Sequence, residues 1–282
     1  MRATATTDFR HLLLAGPDFS LASVDPHSTP GFDGGKEQGK AALAAGADAL
    51  SSLQEKLFAE SRSGSEIAVL LVLQGMDTSG KGGIVRHVLG LVDPQGVHHH
   101  AFKAPTEEER QHDFLWRIRR QLPGAGLIGV FDRSHYEDVL VHRVRGLSSP
   151  AKIEERYAAV QQFEADVVAS GTRLLKVMLH IGKDEQKARL TQRLERPDKY
   201  WKYNPGDIDD RVHWQQYQEA YQVAIERTST PDAPWYVVPA DRKWYARLAV
   251  QHLLTAALED MQLSWPRASF DVDVEKRRLA AT

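Results

Sequence analysis

From Ile67 to Leu73 the chain is an unbroken apolar run. Its length and pattern predict a strand covered on both faces. Leu127–Phe131, Arg173–Ile181 and Trp235–Val238 read as further strands, and a short one is expected over Val97–Phe102. Between these runs the apolar positions change to helical spacing. Leu43, Ala47, Leu50, Leu53 and Leu57 predict one amphipathic helix over about 36–59. Thr106 with Glu109 is a capping-box pattern, opening a helix through about Gln121 that Pro123-Gly124 stops. Ser134 with Glu137 opens another through about Arg145, and Ser149-Pro150 caps the next. Asp184–Glu195 reads as a helix broken by Pro197, a long helix ends near Thr228, and a last one covers about Trp244–Met261. Strands alternating with helices imply a parallel sheet with right-handed crossovers. The expected fold is therefore α/β, a five-stranded parallel sheet flanked by helices in three layers. Residues 1–35 carry Gly, Pro, Ser and Asp without periodicity and read as an irregular arm on the body. Residues 36–263 form the folded domain, and 264–282 a peripheral tail.

Composition changes this picture only by exclusion. With 282 residues there is room for one large or two small domains. A net charge of −2 gives no global attraction to nucleic acid or membrane, so any anion-binding surface must be local. The absence of cysteine removes thiol and disulfide chemistry. No span approaches the roughly 18–20 apolar residues of a membrane helix, and the first residues lead into no apolar leader. The expectation is a cytoplasmic protein that binds neither nucleic acid nor membrane.

The candidate chemistry gathers at the strand ends. Gly75-Met76-Asp77-Thr78-Ser79-Gly80-Lys81-Gly82-Gly83 follows the first strand and leads into a helix starting near Ile84. Strand, Gly-rich turn and helix is the setting of a phosphate-binding loop, in which backbone N–H groups form an anion nest and Lys81 adds a full charge. The spacing fits Gly-x-x-x-x-Gly-Lys, but Gly82 stands where a hydroxyl normally helps to hold Mg²⁺. Asp77 is the candidate replacement, since a carboxylate among phosphates needs a cation between them. Phe131-Asp132 closes a hydrophobic strand with a second acid, suited to hold Mg²⁺ directly or through water. Arg133 beside it would repel Lys81 unless anions lay between. Ligands of such sheets sit at the carboxyl ends of the strands, which collects Asp77, Lys81, Lys103, Asp132 and Arg133 around one crevice. A plain βα turn with a surface Asp is the alternative.

Arg189, Arg193 and Arg196 are spaced four and three apart and share a helix face, which Lys199 and Lys202 extend. Such a row suits a linear polyanion, against the plain reading of a solvated face paired with Glu185 and Glu195. His98-His99-His100 cannot chelate together on a strand, because neighbours point to opposite faces. His135 could touch phosphate or serve the local structure. Glu137 is either a cap partner or a nucleotide contact. Tyr200, Trp201 and Tyr203 are expected to pack a lid more than to stack on a base. Arg117 and Arg120 could both reach the crevice, Arg117 preferred. Trp214, Tyr217 and Tyr221 read as ordinary core.

The nine-residue loop at 75–83, with Asp132-Arg133-Ser134-His135-Tyr136-Glu137-Asp138-Val139, resembles polyphosphate kinase family 2. So do Lys103-Ala104-Pro105, Asp113-Phe114-Leu115-Trp116-Arg117-Ile118 and Arg193-Leu194-Glu195-Arg196-Pro197-Asp198-Lys199-Tyr200-Trp201-Lys202. The likeness covers about Leu53 to Leu258 and is nearest the class III subgroup, many members of which carry Asn where this chain has Asp132. It implies a P-loop kinase fold with a helical lid at about 190–212. It also implies reversible, direct in-line phosphoryl transfer between inorganic polyphosphate and AMP or ADP, dependent on Mg²⁺ or on Mn²⁺ in its place. Asp77 and Asp132 match the metal-binding acids, Lys81 the loop lysine and Arg133 the phosphate-bridging arginine. Thr78, Ser79, Gly80, Gly82 and Gly83 complete the phosphate loop, and Arg193, Arg196 and Lys199 close over the chain. Asp77, Lys103, Arg117 and Glu137 are the candidate nucleotide contacts, and a homo-oligomer is expected. The alternatives are an ATP-dependent nucleotide or small-molecule kinase of the P-loop class, and a P-loop binding module without catalysis. Asp77 and Gly82 count against the first, and retention of both metal acids against the second.

Overall fold

In the computed structural model, which describes residues 8–282, five strands form one sheet. They are β1 (Ala68–Gln74), β2 (Val97–Ala101), β3 (Ile128–Asp132), β4 (Thr172–His180) and β5 (Trp235–Pro239). Their order is β2-β3-β1-β4-β5, with every neighbouring pair parallel. β1 is central and buried along its whole length, which is why its sequence shows no polar alternation. Its side chains still alternate between two cores. Val69, Leu71 and Leu73 face one, Leu70 and Val72 the other.

The first core is closed by α1 (Phe9–Leu13), α2 (Lys36–Ala45), α3 (Ala47–Ser61), α4 (Lys81–His87) and α11 (Lys243–Asp260). The second is closed by α5 (Trp116–Arg119), α6 (Glu137–Val144), α7 (Pro150–Ala169) and α10 (Trp214–Thr228). α8 (Lys183–Glu195) and α9 (Gly206–Val212) follow β4. α12 (Val272–Ala280) buries no residue. Among the described residues no helix is long and apolar enough to cross a membrane.

Several expectations are corrected. Residues 1–7 of the expected arm lie outside the described residues, but the rest of it is not wholly irregular. α1 buries Phe9 and Leu13, and Leu14 makes an isolated antiparallel bridge to Tyr236 of β5. The single helix expected over 36–59 is two, meeting at Gly46. There Gln251 of α11 donates to Leu43 O (2.9 Å), and a β-carbon at Gly46 would come within 3.0 Å of that amide. The capping box at Thr106 and Glu109 forms, at 2.8 and 3.2 Å. It opens only the 3₁₀ turn Glu109–Gln111, because His112 is extended and Asp113 starts a new turn by accepting from Leu115 N (3.0 Å). At the head of α6 the Ser134 hydroxyl accepts from Tyr136 N instead of forming a box with Glu137.

One polar group is built into the second core. Lys176, in mid-β4 and wholly buried, donates to Glu164 Oε2 (2.6 Å) and Thr228 O (2.7 Å). Tyr136 OH and His135 Nε2 donate to the other Glu164 oxygen, at 2.7 and 3.1 Å. His135 is thereby a structural residue anchoring the loop after β3, not a phosphate contact.

Candidate functional site

The loops that leave β1 and β3 emerge side by side, Leu73 lying opposite Asp132 in the register. β1 is also where the strand order turns back, the place at which α/β sheets bind ligands. The first loop needs glycine at two points. Gly75 has φ +145°, and a β-carbon there would stand 2.5 Å from Leu179 O, while Gly80 has φ +119°. Of the three non-glycine residues in the left-handed region among the described residues, two stand in these loops, Thr78 (φ +64°) and Arg133 (φ +65°); the third is Gln262. Such conformations persist only where the surroundings impose them, and they collect at functional sites.

The surroundings that impose Thr78 are visible. Arg189 is buried and donates to the carbonyls of Thr78 (2.8 Å), Ser79 (3.2 Å), Ala240 and Asp241 (both 2.7 Å), while its Nε meets Glu185 at 2.6 Å. Gln186 Nε2 donates to Asp77 O (3.2 Å). α8 therefore grips the loop from behind. This corrects the reading of Arg189 as a member of an outward basic row: its guanidinium is spent on loop carbonyls.

Inside the loop, Lys81 is buried and its Nζ donates to Gly75 O (2.8 Å). The Thr78 and Ser79 hydroxyls are buried without any partner, which for native polar groups calls for an explanation. The Asp77 carboxylate meets Arg133 Nη2 at 2.7 Å. Burial pushes the pKa of Asp77 up, but Lys81, Arg133 and Arg193 together hold it below the usual value. Arg133 loses by burial and gains more from Glu137, Asp77 and Asp132, so its pKa is raised. Asp132 ends β3, and its carbonyl accepts from Phe102 N (3.0 Å).

Beside this pair opens a cleft of about 260 Å³ lined by Asp77, Lys103, Arg117, Arg133 and Glu137 with Phe102, Val141 and Tyr217. Arg117 is buried, donates to Lys103 O (2.8 Å), faces Asp138 at 3.5 Å and lies over the Phe102 ring. Arg120 instead covers the Trp116 ring. Glu137 turns into the cleft: the Gln74 amide donates to its Oε1 (3.1 Å) and accepts from Ser134 N. Burial raises the pKa of Glu137, against Arg133 and Lys81, which lower it.

The cleft has members that the spacing of residues did not reveal. Asp138 and His142 are on the wall formed by α6, and Asp210 closes the far side, accepting from Tyr217 OH (2.7 Å) and Arg145 Nη2 (2.6 Å). Tyr217 and Tyr221, read as core, are buried but also line the cleft. Their helical spacing is the same for both roles, so only the neighbouring acid Asp210 could have hinted at the second.

The basic segment after α8 is more balanced than its row of cations suggests. Arg193 Nη1 meets Asp207 at 3.2 Å and donates to Lys202 O (2.9 Å). Burial and the nearby Asp77 push Asp207 up to about 6. Arg196 and Lys199 share Asp198, at 2.9 and 2.8 Å, and hold it down at about 2. Tyr200 and Trp201 do not pack here: they are 54% and 78% exposed. The histidines of β2 lie on an edge strand, and no group of three His, Cys, Asp or Glu able to hold a metal occurs among the described residues.

The comparisons with known proteins agree on one family. The model of "Polyphosphate kinase 2 (PPK2)" matches residues 34–266. An AMP/ADP-polyphosphate phosphotransferase of Meiothermus ruber is 45% identical over 249 residues, 88% of this chain and 92% of that protein. An ADP-polyphosphate phosphotransferase of Rhodopseudomonas palustris is 41% identical over 258 residues, 87% of this chain and 86% of that one. The crystal structure of polyphosphate kinase 2 from Arthrobacter aurescens TC1 superposes with a TM-score of 0.97 at 56% identity, covering 99% of both chains.

Proposed function

The chain belongs to the polyphosphate kinase 2 family, and from that premise we propose that it transfers the terminal phosphoryl group of inorganic polyphosphate to AMP and to ADP, reversibly. The observation that carries this reading is the phosphate loop itself. It joins a buried lysine, two partnerless hydroxyls and the Asp77–Arg133 pair at the mouth of a nucleotide-sized cleft.

The residues present fit a divalent cation of the Mg²⁺ kind, with Mn²⁺ able to replace it. Asp77 and Asp132 supply hard oxygen donors from the neighbouring ends of β1 and β3. Mg²⁺ is usually held by one or two carboxylates plus substrate phosphates and water, not by a complete protein cage. Asp77 and Asp132 would hold the ion, which when bound neutralises phosphate oxygens and polarises the transferred group.

The chain's own residues do the rest by position and charge. A terminal oxygen of the nucleotide, already anionic, attacks the last phosphorus of the polymer. The new P–O bond forms as the bridging P–O bond to the rest of the chain breaks, and the shortened polymer leaves as an anion. No protein nucleophile or base is required. Lys81 leaves Gly75 O for the phosphates beside the transferred group, together with the loop amides of Thr78, Gly80 and Gly82; those of Ser79 and Gly83 donate to Met76 O and Gly80 O and shape the loop. Arg133 exchanges Asp77 for the transferring phosphoryl. Lys103, Arg117 and Glu137 orient the acceptor in the cleft. A lid at about 190–212 brings Arg193, Arg196 and Lys199 over the donor and excludes water. One phosphoanhydride replaces another, so the transfer runs in both directions.

The test is incubation with polyphosphate, Mg²⁺ and either AMP or ADP, with separation of the nucleotides formed. ATP from ADP, and ADP followed by ATP from AMP, are expected. Absence of any product with polyphosphate, alongside phosphorylation of a small molecule by ATP, would overturn the reading.

A further inference from the structure

Outside the residues that line the cleft, three cations gather on two helices that pack together. Arg86 lies on α4, five residues past Lys81. Lys243 begins α11, and Arg247 lies one turn further on. A β-carbon at Gly83 would stand 3.7 Å from Arg247 Nη2, so this guanidinium lies against the loop itself. Among the described residues the side chains of Arg86, Lys243 and Arg247 make no ion pair and no hydrogen bond. Burial, Arg86 and Arg189 all act against the charge of Arg247, with no acid among these influences. The one acid acting on Lys243 is Glu185, which is already bound to Arg189 at 2.6 Å. His87, between them, is pushed toward its neutral form by burial, Arg247 and Arg86.

Gathered like charges cost folding free energy, and the positive end of the 18-residue α11 adds to that cost. Elsewhere the chain spends acids on its cations, as with Asp198, Asp207, Asp210 and Glu185. Here it spends none. The route from the loop to the cluster is also bare. Gly82 is exposed and a β-carbon on it would meet nothing within 4 Å, and Gly83 continues the track to Arg247. A strand of phosphates leaving Lys81 can lie across these two glycines without displacing a side chain.

We propose that Arg86, Lys243 and Arg247 form a distal subsite for linear polyphosphate, holding the polymer several phosphates away from its reacting end. The proposal rests on the donor reading given above and assigns the direction in which the unreacted chain leaves. Its signature is dependence on donor length. A short donor is held by the loop alone, whereas a long one gains the distal contacts.

The experiment measures KM for polyphosphates of defined length, from tripolyphosphate to chains of hundreds of units, at saturating nucleotide. It compares wild type with Arg86→Gln/Arg247→Gln and with Arg86→Lys/Arg247→Lys. In the Gln pair the ratio of long-chain to short-chain KM is expected to rise about three- to tenfold, the effect of two solvent-facing charge contacts. The Lys pair should keep the wild-type ratio. A Gln pair with an unchanged ratio, or with KM raised equally at every length, overturns the subsite. So does a rise confined to the KM of the nucleotide, which would make the cluster a nucleotide contact. Wild type inactive with polyphosphate of every length would bring down the donor reading itself.

Discussion

Asp77 is caught between opposite demands. Burial asks its carboxyl to be neutral, while Lys81, Arg133 and Arg193 keep it ionised, so the charge is present before any ligand arrives. A carboxylate kept charged in this way, in a loop with two partnerless hydroxyls, is prepared for a cation. Asp77→Asn changes charge and little volume. It is expected to lower kcat by on the order of 10²–10³ at saturating Mg²⁺ while leaving the thermal transition nearly in place. Near-normal turnover removes Asp77 from the metal site. Arg133 shows what residue types alone convey. Its place beside Asp132 marked it as a phosphate contact, but the left-handed backbone that presents it, and its resting partner Asp77, belong to the fold.

At the scale of elements, the proposed lid is the end of α8 with the segment that follows it. Arg196 and Lys199 rest on Asp198 at the surface, in solvent-screened pairs that a polyanion can displace. Arg193→Gln with Arg196→Gln should raise KM for polyphosphate more than KM for the nucleotide. Wild-type KM for polyphosphate should climb with ionic strength, and the double variant should climb less steeply. Equal damage to both substrates with unchanged salt dependence would show that these arginines shape the segment without gripping the chain. The strands and long helices were legible because burial on one or two faces writes a period into the sequence. What periodicity could not show came from distant partners. Gln251 divides α2 from α3 across some two hundred residues, and Arg189 turns inward where Arg193 does not, although both obey the same spacing. The acids Asp207 and Asp210 were invisible as partners because they stand 14 and 65 residues from their cations, whereas Asp198 is a sequence neighbour of Arg196 and Lys199.

Across the whole molecule, the Lys176–Glu164 pair joins the middle of the sheet to α7, to the end of α10 and to the loop after β3. Lys176 interrupts the apolar middle of β4, between Leu174-Leu175 and Val177-Met178-Leu179. Lys176→Met leaves Glu164 buried without its cation. It is expected to cost about 3–5 kcal/mol of stability by denaturant titration. Adding Glu164→Gln should recover part of that loss. A Lys176→Met protein as stable as wild type would mean that the pair is offset elsewhere.

α8 carries Arg189 and Arg193 one turn apart, the first pinned to the loop carbonyls and the second resting on Asp207. One turn of helix is a stiff rod about 6 Å long, so it works as a lever with its fulcrum at Arg189. If a seated polymer draws Arg193 away from Asp207, as the proposed donor reading has it, the rod turns and the carbonyls of Thr78 and Ser79 follow or let go.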